Sequence, residues 1–209
     1  MASTFSRGNP MHARIYDVIC GWTEKQGLLE WRKKLVGDLT GDIVEIGAGT
    51  GLNLAHYPAG ARVKASDYDA VMLARAVPRA KDAVAEVDLF VADATKLPFV
   101  DESLDFVVWA LMLCSVPDQM AGIKEIHRVL KPGGCVRFVE HVRDEEGSRR
   151  AKVQDFVAPA WRAFSGGCNC NRRTVEAVKG AGFEITELDR GMVGRSHLAP
   201  HALAEAVRT

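Results

Sequence analysis

The chain lacks an excess of charge of either sign: 27 Lys and Arg are matched by 27 Asp and Glu. That balance excludes the general electrostatic attraction on which binding to a nucleic-acid backbone or an anionic membrane surface rests. Long apolar runs are also missing. The longest, Phe106 to Cys114, falls well short of the about 20 residues that span a bilayer and has the length of a buried central strand. Met1 to Gly21 carries no apolar core of a secretory signal. The five cysteines are odd in number and scattered, so the expectation is a soluble cytoplasmic protein with free thiols. No repeat, low-complexity stretch or second domain interrupts residues 1–209. A 47% hydrophobic content suits one domain with a substantial core.

The chain does carry a glycine turn. Ile43-Val44-Glu45-Ile46 suits a buried strand and runs into Gly47, Gly49 and Gly51, after which Leu52-Asn53-Leu54 opens a helical pattern. Glycine is needed where φ is positive or where the backbone must approach a ligand, and a helix start there offers unpaired N–H groups to the crevice at the strand ends. The spacing is G-x-G-x-G, with Leu52 where a dinucleotide binder has its third glycine. A plain strand-to-helix turn would use the same residues. The acids that follow weigh against that reading. A second strand, Ala61–Ser66, ends at Asp67, where a carboxylate can accept both hydroxyls of a ribose. A third, Leu89–Val91, ends near Asp93, where a carboxylate can accept from an exocyclic amine. A fourth spans Leu104–Ala110, and a fifth, Cys135–Glu140, follows the Leu130-Lys131-Pro132-Gly133-Gly134 turn.

Strand and helix patterns alternate, so the sheet is expected to be mostly parallel with right-handed crossovers. Ile15, Val18, Ile19 and Trp22 form a helical stripe, and Leu28, Trp31 and Leu35 continue it beyond a break at Gly27. Asp69 is expected to cap a helix that ends before Pro78. Arg149–Phe164 should kink or break at Pro159. Thr174 should cap a short helix stopped by Gly182. Phe183–Leu188 reads as a sixth strand.

These elements together resemble the class I S-adenosylmethionine-dependent methyltransferases. The residues that carry the likeness are Val44-Glu45-Ile46-Gly47-Ala48-Gly49-Thr50-Gly51, Ser66-Asp67, Ala92-Asp93-Ala94 through Phe99, Ser103–Val108 and His127–Gly134. Leu111–Val116, Phe138–Val142, Gly167-Cys168-Asn169 with Arg173-Thr174, and Pro200-His201 are similar to the microsomal alkyl-thiol methyltransferases. Members of that narrower family carry an N-terminal membrane helix; this chain is expected to depart from them there and to be soluble. The resemblance implies an α/β, doubly wound, mostly parallel seven-stranded Rossmann-like sheet. Ala202–Val207 would be its seventh strand. It divides the single domain into an N-terminal arm and lid helices over 1–38, a cofactor-binding core over 40–141 and a substrate-side part over 142–209. It also implies that Glu45, Gly47, Ala48, Gly49, Gly51, Asp67, Tyr68, Met72, Asp93, Ala94 and Ala110 bind S-adenosylmethionine. The expected acceptor is a small lipophilic molecule, a thiol or sulfide, with a phospholipid amine as the rival. Less favoured readings are a silent cofactor-binding module and a nicotinamide oxidoreductase. No nucleic-acid partner and no membrane span are expected.

A thiol reacts as the thiolate, so a base or positive charge beside it raises the reactive fraction. His141, at the end of the fifth strand, is the candidate catalytic residue. The alternative is a histidine that only orders its loop, and Glu140 is expected to be structural or to orient it. His201 belongs to the Pro-His pair of the resemblance, which would set it near the substrate mouth, but a strand-edge surface histidine is the favoured reading. Cys114 either lines the acceptor pocket or is a small buried hydrophobe. Cys168-Asn169-Cys170 lacks the second ligand pair of a zinc site, so no metal is expected and the stretch reads as a turn bordering the active site. The motifs around Cys114, Cys168 and Cys170 do not resemble an arsenite methyltransferase.

Overall fold

The computed structural model describes residues 17–18, 21–193 and 200–209. Short apolar runs bounded by glycine and polar turns form seven strands: β1 (Gly41–Ile46), β2 (Ala61–Asp67), β3 (Glu86–Val91), β4 (Leu104–Ala110), β5 (Leu130–His141), β6 (Phe183–Met192) and β7 (Pro200–Arg208). They build one sheet in the order β3-β2-β1-β4-β5-β7-β6. Pairs from β3 to β5 are parallel, and β7 is antiparallel to both β5 and β6. The described helices are α1 (Leu29–Val36), α2 (Ala70–Asp82), α3 (Gln119–Val129), α4 (Arg149–Phe164) and α5 (Thr174–Gly180).

The period-two alternation of β4 divides the core between the two faces of the sheet. Val107 and Trp109 point to the face covered by Ile123 and Ile126 of α3 and Val175 and Val178 of α5. Val108 points to the other face, against Leu35 and Val36 of α1 and Leu73 and Ala76 of α2. Trp109 stacks on its cross-strand neighbour Phe138 with ring centroids 4.7 Å apart. Strand order reverses between β1 and β4, so the ends of these two strands open the crevice where an α/β sheet binds ligands.

Several local expectations are corrected. The helix expected to stop before Pro78 runs on to Asp82. Its last turn is anchored from outside, because Arg79 donates to the Thr50 carbonyl at 2.7 Å. Pro159 likewise lies inside a single helix, α4. Thr174 is the first residue of α5 and gives no cap; its hydroxyl instead accepts from the Gln119 amide at 2.9 Å. Strand β5 takes in the Lys131–Gly134 turn, β6 extends to Met192, and β3 starts earlier, at Glu86. The break at Gly27 is present, with φ of 121° inside a π-helical turn over Glu24–Leu28. Of the first helical stripe, Ile15 and Ile19 lie outside the described residues, and Val18 and Trp22 are exposed. No helix among the described residues is long and apolar enough to cross a membrane.

Candidate active site

The glycine turn at the end of β1 is held from both sides. Gly47 and Gly51 have φ of 72° and 81°. A Cβ on Gly47 would lie 2.2 Å from Met112 Cγ, and one on Gly51 would lie 2.9 Å from Ala76 Cβ. Gly49, with φ of 58°, differs: a Cβ there would meet only Met72 Cε at 3.8 Å, so its side faces the crevice. The Gly49 N–H donates to Asp67 Oδ2 at 2.8 Å, and Asp67 Oδ1 accepts from the Asp69 N–H at 2.8 Å. The tip of β2 thereby fixes the turn, and Ala48 N–H adds a 2.8 Å bond to the Ser66 carbonyl. Burial raises the pKa of Asp67 against these two donors.

The other expected cofactor residues lie at or near the C-terminal ends of strands β1 to β4. Asp93 Oδ1 accepts from both the backbone N–H and the hydroxyl of Thr95 at 2.8 Å, shaping the turn that buries Ala94. Tyr68 and Met72 lie at the exit of β2 and the start of α2, and Ala110 is the last residue of β4. Ala110, Gly47, Ala48 and Asn53 line one recess with Arg32 of α1. Glu45 is fully buried beneath it, its carboxylate accepting from Asn53 Nδ2 at 2.8 Å and the Tyr57 hydroxyl at 2.9 Å. Arg32 donates to Asn53 Oδ1 at 2.7 Å and to Glu24 at 2.7 Å. The N-terminal helix is therefore wired into the turn as well as packed on the sheet.

A second constellation lies beyond the ends of β4 and β5. After β4 the chain turns sharply at Leu111, whose φ is 56°. Glu140, buried in β5, accepts the backbone N–H groups of Met112, Leu113 and Cys114 at 2.9, 2.6 and 3.2 Å. Burial pushes its pKa up to about 7. The following residue, His141, places Nδ1 3.3 Å from Cys168 Sγ. Asn169 locks the Cys168 turn to the Cys114 loop by donating to the Cys114 carbonyl from both backbone and side chain at 2.9 Å. Gln154 of α4 ties the same segment down through the Cys170 carbonyl at 2.7 Å. The ligand-type atoms of Cys114, His141 and Cys168 all lie within 4.8 Å of one another.

Electrostatics follow from that crowding. The Cys114 hydrogen bond and the His141 ring hold the Cys168 thiol well below the ordinary thiol range, against burial. Burial alone would lower His141, but Cys168 outweighs it and the pKa is raised. Cys114 is pushed up, first by Cys168 and then by burial and Glu140. His201, expected at the surface, is instead buried on β7 opposite His141, because β7 lies between β5 and β6 and not at the sheet edge. The His141 and His201 ring centroids are 4.4 Å apart.

Residues 44–138 match the methyltransferase-domain family. The chain is 32% identical to thiol S-methyltransferase TMT1A of Homo sapiens over 171 residues, covering 79% of this chain and 70% of that protein. It is 35% identical to a phosphatidylethanolamine N-methyltransferase of Cereibacter sphaeroides over 109 residues, 51% of this chain and 54% of that protein. In fold it is similar to a methyltransferase structure from Aquifex aeolicus (TM-score 0.61, 15% identity, 97% of this chain and 100% of that one). The chain belongs to the class I S-adenosylmethionine-dependent methyltransferases. Within them it lies close to the thiol S-methyltransferases.

As a methyltransferase, it uses S-adenosylmethionine, and the glycine turn fits that group. Gly49 presents backbone with no side chain toward the crevice, and carboxylates stand at the tips of β2 and beside β3. When bound, the cofactor supplies a methyl group already activated on a sulfonium. The protein is left to position the acceptor and exclude water.

Proposed function

We propose that this methyltransferase transfers the methyl group to the sulfur of a small lipophilic thiol. The extent of the likeness supports the reading: 171 aligned residues to the thiol methyltransferase cannot fit inside segment 44–138, so the similarity extends well beyond the family domain. The 109 residues shared with the phospholipid enzyme exceed that segment by little. Residues 40–141 hold the cofactor, with Gly47, Ala48, Gly49 and Gly51 forming the turn. Asp67 and Tyr68 serve the ribose side, Asp93 and Ala94 the adenine side, and Met72 and Ala110 the walls. Glu45 acts from beneath through Asn53 and Tyr57. His141 acts on the acceptor by favouring the thiolate, which is only a few per cent of an ordinary thiol at neutral pH. Residues 142–209 complete the acceptor side.

The test is incubation with methyl-labelled S-adenosylmethionine and a panel of alkyl and aryl thiols, beside vesicles containing phosphatidylethanolamine. Labelled thioethers are expected, with His141→Ala slowing weakly acidic alkyl thiols more than acidic aryl thiols. Label in the phospholipid and in no thiol would overturn the acceptor.

A further inference from the structure

We propose that Cys114, His141 and Cys168 form a three-ligand site for a thiophilic divalent cation of the zinc class, with its fourth position open to the acceptor sulfur. Only the fourth position rests on the thiol reading; the three protein ligands do not.

Geometry comes first. Tetrahedral zinc, with Zn–S near 2.3 Å and Zn–N near 2.0–2.1 Å, sets its ligand atoms roughly 3.5–3.8 Å apart. The three ligand atoms already lie within 4.8 Å of one another, with 3.3 Å between Cys168 Sγ and His141 Nδ1. Small movements would bring them onto such a centre. They come from three separate segments: the loop after β4, the tip of β5 and the turn after α4. Cys170 is buried two residues beyond Cys168 but is not part of the group.

The backbones that carry these ligands are fixed from behind. Glu140 grips Cys114 and the two residues before it. Asn169 joins the Cys168 turn to the Cys114 carbonyl. The Trp161 ring packs edge-on against His141 at a centroid distance of 6.2 Å. Outer contacts of this kind orient metal ligands. Two sulfurs and one imidazole nitrogen select soft cations over magnesium or calcium. Three protein ligands, in place of the four of a structural site, leave a position for substrate.

The chemistry balances. A thiol R–SH would enter the open position as R–S⁻, its proton leaving to solvent, because a coordinating thiol is deprotonated. Its sulfur would take the methyl group as the sulfonium–methyl bond of S-adenosylmethionine breaks, giving R–S–CH₃ and S-adenosylhomocysteine, and the neutral thioether would bind the cation weakly and depart. His141 then favours the thiolate through the cation it ligates and takes up no proton itself.

The experiment is an oxygen-free titration of chelator-treated, reduced full-length protein with Co²⁺, read by absorbance and followed by displacement with Zn²⁺. Near-ultraviolet thiolate-to-cobalt bands and visible bands of a four-coordinate centre are expected at one ion per chain. Cys114→Ser and Cys168→Ser should each remove about half of the thiolate band. His141→Ala should weaken binding by at least about tenfold, the lower end of what even outer contacts cost. Cys170→Ser and Cys135→Ser should change nothing. The wild-type spectrum decides the main point whether or not a variant folds: absence of thiolate-to-cobalt bands overturns the site, as does their loss in Cys170→Ser alone. An added alkyl thiol should shift the visible bands, and an unchanged spectrum removes the open position. Cobalt bands without thiol methylation uphold the site and sink the thiol acceptor. Thiol methylation by metal-stripped protein that gives no bands does the reverse.

Discussion

The two sides of the crevice differ in how far apart along the chain their parts lie. On the cofactor side a contiguous glycine turn leaves room, and Asp67 from the neighbouring strand and the Glu45–Asn53 pair beneath hold it in place. On the acceptor side the decisive contacts are made by buried polar side chains reaching across the chain, Glu140 to the Cys114 loop and Gln154 and Asn169 to the Cys168 turn. A contiguous turn can serve any member of a family that binds one cofactor. An acceptor pocket assembled from distant segments can change with each loop and so carries specificity.

The largest expected effect falls on the acceptor side. Glu140→Ala would leave three buried N–H groups without an acceptor, each costing about 1–3 kcal/mol. A loss of about 3 kcal/mol or more is expected in urea unfolding. The affinity of the folded variant for S-adenosylhomocysteine should fall by less than about threefold, under 1 kcal/mol. Unchanged stability would show that water or a shifted loop satisfies those groups. An equal loss of ligand affinity would mean that the two sides do not act independently.

The next effects fall on the cofactor side and are read in ligand affinity. Gly49→Val should lower affinity by more than about 100-fold, since a branched side chain at positive φ would stand in the crevice. Asp67→Ala should cost about 10- to 100-fold, through lost charged hydrogen bonds worth roughly 1.5–3 kcal/mol each. Part of that cost comes from release of the Gly49 N–H. Calorimetry with circular dichroism separates binding from folding, and normal affinity in a folded Gly49→Val protein would contradict the assignment of the turn.

The same contrast explains what could be read from the residues alone. Strand β4 follows from the apolar stretch Phe106–Ala110 preceded by Leu104, and the expected bounds, Leu104–Ala110, agree with the structure. The placement of the glycine turn, Asp67 and Asp93 at strand ends is legible because each is local to one strand end. The meeting of Cys168 with His141 is not legible, since it depends on how the segment after β5 folds back. One signal was available: β4 and β5 are neighbouring parallel strands, so Cys114 and His141 leave the same end of the sheet. The expectations for Thr174 and Pro78 fail for a related reason. Gln119 competes for the threonine hydroxyl, and Arg79 anchors the turn that the proline weakens, and both partners are tertiary.

The smallest effect tests whether the cofactor side also depends on a side-chain clamp. Glu125 of α3 accepts the Leu97 N–H at 2.7 Å, holding the loop that follows Asp93 and Ala94. Arg128 donates to both its oxygens, and Asp101 faces Arg128 from the loop before β4. The Arg128 hydrogen bonds hold the Glu125 carboxyl below its ordinary value of 4.5, with burial opposing them. A depressed acid pKa contributes stability that is present above 4.5 and is lost as pH falls through the folded-state value. Glu125→Gln keeps an oxygen for Leu97 but loses the charge. It should cost about 1 kcal/mol near pH 7, reduced from the buried case because Arg128 is partly exposed. The gap between wild type and variant should close as pH falls below 4.5. A gap that stays constant from neutral pH into acid would assign the effect to shape and not to charge, and the Leu97 loop would then be held by its hydrogen bond to Glu125 and not by the Arg128 ion pair.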